Sequence, residues 1–275
     1  MKKIISLALV LIMVLSLFAG CGAKKDTLKV AISPDFAPME FVDPSKTGQE
    51  QYVGFDVFLA KFIAEELGQE LDIMPMDFGA CQTAVAMGTV DMSISGFSWT
   101  EERAENYNLS DYYYAGDNET EQVLITTAAN AGKFTSAADL AGLKVGAQAA
   151  SLQEAMCKDQ LPDTELVVFT DINTGVLQLK KGDFDVMAVA TGNADAIIAS
   201  NSDVALAGFN FEVSDAESNN LILLKKGNDE LTKKVNEILA KAYAAGYYGE
   251  WYAAAEELAG IGVEVSYDEN GNPIT

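Results

Sequence analysis

Arg103 closes the run Ser98-Trp99-Thr100-Glu101-Glu102-Arg103, eight residues after Ser95. The apolar segment from Met92 to Ser95 predicts a strand, so Arg103 stands near the strand's carboxyl end, where open parallel sheets collect small ligands. A guanidinium there can grip a carboxylate through two parallel hydrogen bonds, helped by N–H groups at a helix start. On residues alone, the same Arg fits better a solvated Glu101-Glu102-Arg103 charge run at the surface. No His occurs among the 275 residues, which excludes His-based catalysis and His-ligated metal. The formal charge of −23, from 18 basic and 41 acidic residues, argues against nucleic acid and against anionic headgroups as partners. Nothing in the composition calls for a cofactor.

The N-terminus carries its own chemistry. Met1-Lys2-Lys3 is followed by an uncharged run from Ile4 to Phe18, then Ala19-Gly20-Cys21. A basic start, a short apolar run and small residues before a break predict a secretion signal over 1–20. Cys21 directly after Ala19-Gly20 resembles a bacterial lipoprotein signal, with Phe18 where Leu is commoner. That resemblance implies a diacylglycerol on the Cys21 thiol, a tether linker over 21–26, and an extracytoplasmic body lipid-anchored to the cell membrane. The alternative is a plain cleaved signal in which Cys21 has no part. Of the other cysteines, Cys81 and Cys157 sit in apolar helix-like stretches and read as unpaired buried thiols rather than a disulfide.

Stepping outward from these residues, the chain alternates strands with helices of about ten residues, the grammar of parallel β with crossover helices. Leu28–Ile32, Leu71–Met74 and Met92–Ser95 predict strands; 54–68 and 80–87 predict helices, with Asp56 as a candidate cap and Gly68 just beyond the first helix's end. Strands at 144–147, 166–169 and 186–189 alternate with helices at 151–160, 172–181 (capped by Asp171) and 193–200. Gly88-Thr89-Val90-Asp91 and Gly182-Asp183-Phe184-Asp185, 94 residues apart, each follow a helix and lead into an apolar strand. Two lobes of like construction produce such an echo. The polar stretches 111–122 and 211–220 read as crossings between them, and Asn228 caps a C-terminal helix.

Several landmarks, in order, resemble the extracellular solute-binding proteins of ABC importers for polar amino acids: Ser33-Pro34-Asp35-Phe36-Ala37-Pro38-Met39-Glu40-Phe41, Gly54-Phe55-Asp56-Val57, Gly88 to Asp91, Ser95 to Arg103, Leu109 to Tyr113, and Lys226 through Gly246 to Trp251. The resemblance spans about residues 27–258. It implies an α/β, two-lobed, periplasmic-binding-protein-like (type II) fold, each lobe a mainly parallel sheet flanked by helices, joined by two hinge crossings. Lobe I is expected over 27–114 plus 222–260, lobe II over 123–216, and a tail over 261–275. It implies no enzyme but a small-molecule binder that delivers its ligand to an ABC permease. By position, Arg103 takes the ligand carboxylate, assisted by Ser98, the Gly96 backbone and, from the other lobe, Ser151. Phe36 sits where the family places an aromatic over the ligand side chain, and Phe78 lies in another loop at the pocket edge; the alternative for either is a place in the core. Ser33 selects it, and a small neutral Ser argues against a cationic side chain.

One position departs from the family. Where an Asp usually holds the ligand ammonium stands Ala190, in the uncharged run Ala188-Val189-Ala190-Thr191-Gly192. A buried ammonium without a carboxylate is costly. Either another acid such as Asp195 reaches it, or the Gly96 carbonyl and the Thr191 hydroxyl do, or the ligand is a small carboxylate lacking an α-amine. A cyclohexadienyl-dehydratase-like enzyme on the same fold is a further alternative.

Overall fold

The computed structural model describes residues 26–113 and 121–261, with the short strands Ser266–Tyr267 and Pro273–Ile274. The predicted signal, Cys21, and most of the tether, first crossing and tail lie outside the described residues.

The chain begins lobe I with β1 (Thr27–Ile32), then β2 (Asp35–Phe36), β3 (Glu40–Val42) and β4 (Tyr52–Val53). It continues through α1 (Phe55–Leu67), β5 (Glu70–Pro75), α2 (Phe78–Met87), β6 (Met92–Ser98), α3 (Glu101–Asn106) and β7 (Tyr107–Leu109). Lobe II contains β8 (Gln122–Thr127), α4 (Ala137–Leu140), β9 (Lys144–Gln148), α5 (Leu152–Gln160) and β10 (Glu165–Phe169). It ends with α6 (Ile172–Lys181), β11 (Val186–Ala190), α7 (Thr191–Ser200) and β12 (Val204–Asn210). The chain then returns to lobe I with β13 (Asn220–Lys225), α8 (Asp229–Ala244) and α9 (Tyr247–Leu258).

The two five-stranded sheets have the same plan. Lobe I runs β5-β1-β6-β13-β7 and lobe II runs β10-β9-β11-β8-β12. In each, the first three strands are parallel and the fourth, the strand that enters from the other lobe, is antiparallel to both neighbours. Apolar clusters cover both faces of each sheet, as parallel strands require.

The Gly-x-x-Asp echo has a physical cause. Gly88 and Gly182 end their helices in the left-handed conformation, with φ of 71° and 84°. Asp91 then accepts from Lys29 N–H at 2.8 Å, and Asp185 from Lys144 N–H at 2.9 Å. Each Asp clips its incoming strand to the first residues of the neighbouring strand. Asp171 and Asn228 cap their helices as expected, through bonds from Thr174 and Leu231 N–H, and Ser151 caps its helix through a bond from Glu154 N–H. Cys81 and Cys157 are buried free thiols, one in each lobe, and burial pushes both up to about 12.

Two expectations are corrected. Asp56 does not cap α1; Gly54 stands there with φ of 117°. Asp56 turns inward, is fully buried, and accepts from Gly96 N–H and Tyr113 O–H. The helix expected from 193 begins at Thr191, directly after β11.

Candidate functional site

Arg103 lies on α3, a six-residue helix started by Thr100, whose hydroxyl accepts from Arg103 N–H at 3.2 Å. The side chain is drawn inward and only 4 % exposed. Its Nη1 donates to Ser98 O at 2.7 Å and its Nη2 to Ala150 O at 3.0 Å. Its guanidinium carbon lies 5.5 Å from the Phe78 ring centroid and 5.2 Å from that of Phe97, within cation–π range. No ion pair among the described residues includes it. Burial drives it down to about 10. It is the only arginine of the 275 residues, and this one guanidinium is buried with no carboxylate ion-paired to it among the described residues.

Ala150, which receives Arg103, belongs to lobe II. It is the one non-glycine residue with positive φ, 60°, among the described residues. The turn aims its carbonyl at lobe I, where it accepts from both Arg103 and Gln82. A strained backbone kept at an interface between two lobes is a functional signal.

A cleft is lined by residues of both lobes, and seven of the eight predicted ligand residues line it: Ser33, Phe36, Phe78, Gly96, Ser98, Arg103 and Ser151. Gly96 has φ of +57°, and a Cβ there would stand 2.7 Å from Cε1 of Phe36, so the aromatic lies across a glycine that must stay bare. Phe36 also packs against the cores of both lobes. Phe78 stacks on Phe97 with centroids 4.7 Å apart. The Ser151 hydroxyl donates to Gln148 O and accepts from Glu154 N–H, and it brings the start of the nine-residue α5 to the cleft.

The eighth, Thr191, is not brought to the cleft. Its hydroxyl donates to Glu121 O at 3.3 Å. It follows Ala190, which pairs with Gln122, and so faces the entry to β8. Thr191→Ala is expected to leave ligand affinity unchanged in a calorimetric titration. Asp195 does not line the cleft either; partial burial raises its carboxyl.

Among the cleft residues that carry no role from sequence are Asp35, Gln148 and Asn193. Asp35 is 8 % exposed and crosses to lobe II, accepting from Ile172 N–H at 2.7 Å and Gln148 Nε2 at 3.2 Å. Its other oxygen accepts from Ser33 Oγ at 2.8 Å. Burial outweighs these bonds and pushes Asp35 up to about 6. Asn193 donates to Ala37 O at 3.1 Å, while its buried Oδ1 has no hydrogen-bond partner among the described residues. The signal in the sequence was an Asp beside an aromatic directly after a strand end, and an Asn in the first turn after β11.

The family profile of bacterial extracellular solute-binding proteins, family 3, matches residues 28–254. The chain belongs to that family. Among its family 3 relatives is the arginine-binding extracellular protein ArtP of Bacillus subtilis, 31 % identical over 223 residues, 80 % of this chain and 82 % of ArtP. The structure of the amino acid ABC transporter substrate-binding protein AbpA from Streptococcus pneumoniae, bound to L-arginine, is 35 % identical with a TM-score of 0.78, covering 85 % of this chain and 95 % of AbpA. An ancestral arginine-binding protein bound to glutamine is 31 % identical with a TM-score of 0.74, covering 84 % and 97 %. The architecture is accordingly the type II periplasmic-binding-protein fold expected from the sequence.

Proposed function

We propose that this chain is the capture component of an ABC importer and that it binds a zwitterionic amino acid between its lobes. The observation that carries this reading is a pair of opposite charges in one cleft, Arg103 and Asp35, neither with a charged partner among the described residues. An unpaired buried charge is costly, and a ligand bearing both a carboxylate and an ammonium relieves both costs. Arg103 and the start of α5 take the carboxylate from opposite lobes, and Asp35 with Asn193 Oδ1 takes the cationic end. This gives Asp35 the duty that Ala190 cannot perform and disfavours a small carboxylate lacking nitrogen. Relatives named for arginine, histidine and glutamine support the ligand class.

L-Arginine and L-glutamine are the first probes. A thermal-shift titration is expected to show a dose-dependent rise with at least one of them, and none with the same molecule lacking its α-amine. Equal stabilisation by the deaminated acid overturns the reading.

Asp35 also sets a pH dependence. An ammonium beside it favours the ionised carboxylate, so binding expels the proton that Asp35 holds below about 6. Affinity for the amino acid is expected to fall by roughly tenfold per pH unit as pH drops below that point. Asp35→Asn should bind more weakly and with a flat profile over the same range, measured by isothermal titration.

The lobe boundaries expected at 27–114 plus 222–260 and 123–216, removal of residues 1–20 and diacylglycerol attachment at Cys21 belong to the same reading. Family 3 proteins are extracellular, which fits an anchored body. Cells fed labelled fatty acid should label the wild-type chain and not Cys21→Ser; label on both removes the anchor from the reading.

A further inference from the structure

Behind the lobe I wall of the cleft, two acids are buried with no cation paired to them among the described residues. Glu40 and Asp56 are each 0 % exposed. Glu40 Oε1 accepts from Ser95 Oγ, and that hydroxyl accepts from Ser33 N–H at 2.9 Å. Asp56 Oδ2 accepts from Gly96 N–H at 2.9 Å and from Tyr113 O–H at 3.0 Å. Thus Glu40 holds Ser33 and Ser95, and Asp56 holds Gly96, all of which line the cleft.

The other end of the cluster is at the hinge. Tyr113 lies at the start of the first crossing, and its N–H bonds to the carbonyl of Asn220, where the chain returns to lobe I. One carboxylate therefore touches both the cleft wall and the point where the two crossings meet.

The remaining oxygens, Glu40 Oε2 and Asp56 Oδ1, have no hydrogen-bond partner among the described residues. The titratable groups acting on the pair are Asp35, which adds negative charge, and the Tyr113 phenol, held neutral by burial. Neither acid joins an ion pair among the described residues. Two adjacent carboxylates in a dry interior cannot both stay ionised. Burial pushes Asp56 up to about 7, and burial plus the Asp56 charge push Glu40 well above the carboxylate range.

We propose that Glu40 and Asp56 hold one proton between Glu40 Oε2 and Asp56 Oδ1 and act as positioning residues that tie the Ser33–Gly96 wall of the cleft to the Tyr113–Asn220 hinge. The proton satisfies both unpartnered oxygens at once and leaves Asp56 Oδ2 as the acceptor that Gly96 and Tyr113 require. The importance of the tie for ligand capture rests on the function proposed above, but the tie itself is testable without ligand.

The experiment is a carboxyl-carbon and amide NMR titration of the folded protein from about pH 5 to about pH 9. Glu40 is expected to remain protonated well above the ordinary carboxylate range, and the Gly96 amide and Tyr113 ring signals to move with the ionisation of the pair. In Glu40→Gln the amide donates to Asp56 and its oxygen accepts from Ser95, so the variant should keep its melting temperature while the Gly96 movement shifts to lower pH, following Asp56 titrating alone. In Asp56→Asn, Glu40 should ionise about one pH unit lower or more, because the neighbouring charge is gone. Two carboxyls titrating independently in the ordinary range overturn the proposal. So does a Gly96 signal that ignores the pair, or a Glu40→Gln chain that fails to fold.

Discussion

Arg103→Ala is expected to weaken binding of every ligand the chain takes by about 3 kcal/mol, roughly two orders of magnitude in affinity, because a buried charge partner is removed from the bound carboxylate. The chain has no second arginine, and no Lys lines the cleft, so nothing nearby substitutes. Arg103→Lys restores charge but not the planar fork, and should recover only part of the loss. Arg103→Met separates binding from folding. It replaces an isolated buried cation by an apolar side chain of similar length, so the fold should persist while binding is lost. Isothermal titration and thermal melting of the three variants decide the matter. Arginine-selective dicarbonyl reagents give an independent check. They have one target in this sequence, and saturating ligand should protect it. Full affinity in Arg103→Met ends the assignment.

The second large effect is on stability. Gly54→Ala is expected to cost roughly 4 kcal/mol or more, at the extreme end of single substitutions. A Cβ at Gly54 would stand 2.7 Å from Met39 C and 2.8 Å from Pro38 O. Those carbonyls cannot retreat, because Pro38 O accepts from Phe55 N–H at 3.1 Å and Met39 O from Asp56 N–H at 2.8 Å. The φ of 117° adds backbone strain for any residue with a side chain. The joint fastens the start of α1 to the loop that carries Phe36, so cleft geometry suffers with the fold. Urea denaturation of Gly54→Ala should show the midpoint falling with little change in slope. A loss under about 1 kcal/mol means that the loop yields easily.

Local features of the sequence were the most legible. Hydrophobic period, helix-ending glycines and capping Asp171 or Asn228 act within a few residues, and they located most of the main strands and helices. The Gly88–Asp91 and Gly182–Asp185 echo led to strands in equivalent positions of two like sheets, because each Asp performs the same local clip. Strands β2, β3, β4, β7 and β12 were missed. The first four are two or three residues long and exist through their partners.

Side-chain duties set by distant parts of the chain were harder to read. Asp35 meets Gln148 and Ile172, 113 and 137 residues away, and no local pattern announces that meeting. Asp56 looked like a cap because Asp near a helix start usually is one. Burial against Gly96 and Tyr113, 40 and 57 residues away, gave it another task. Thr191 was misplaced for a related reason. The pairing of Ala190 with Gln122 turns the next residue toward β8 rather than toward the cleft.

The strand order has a consequence for biogenesis. In the lobe I sheet, β13 lies between β6 and β7, so Tyr107–Leu109 has no place to pair until Asn220–Lys225 has been made. All five strands of the lobe II sheet are in hand by Asn210. A chain leaving a ribosome or a secretion pore N-terminus first can thus finish its second jaw while the first still waits for its middle strand.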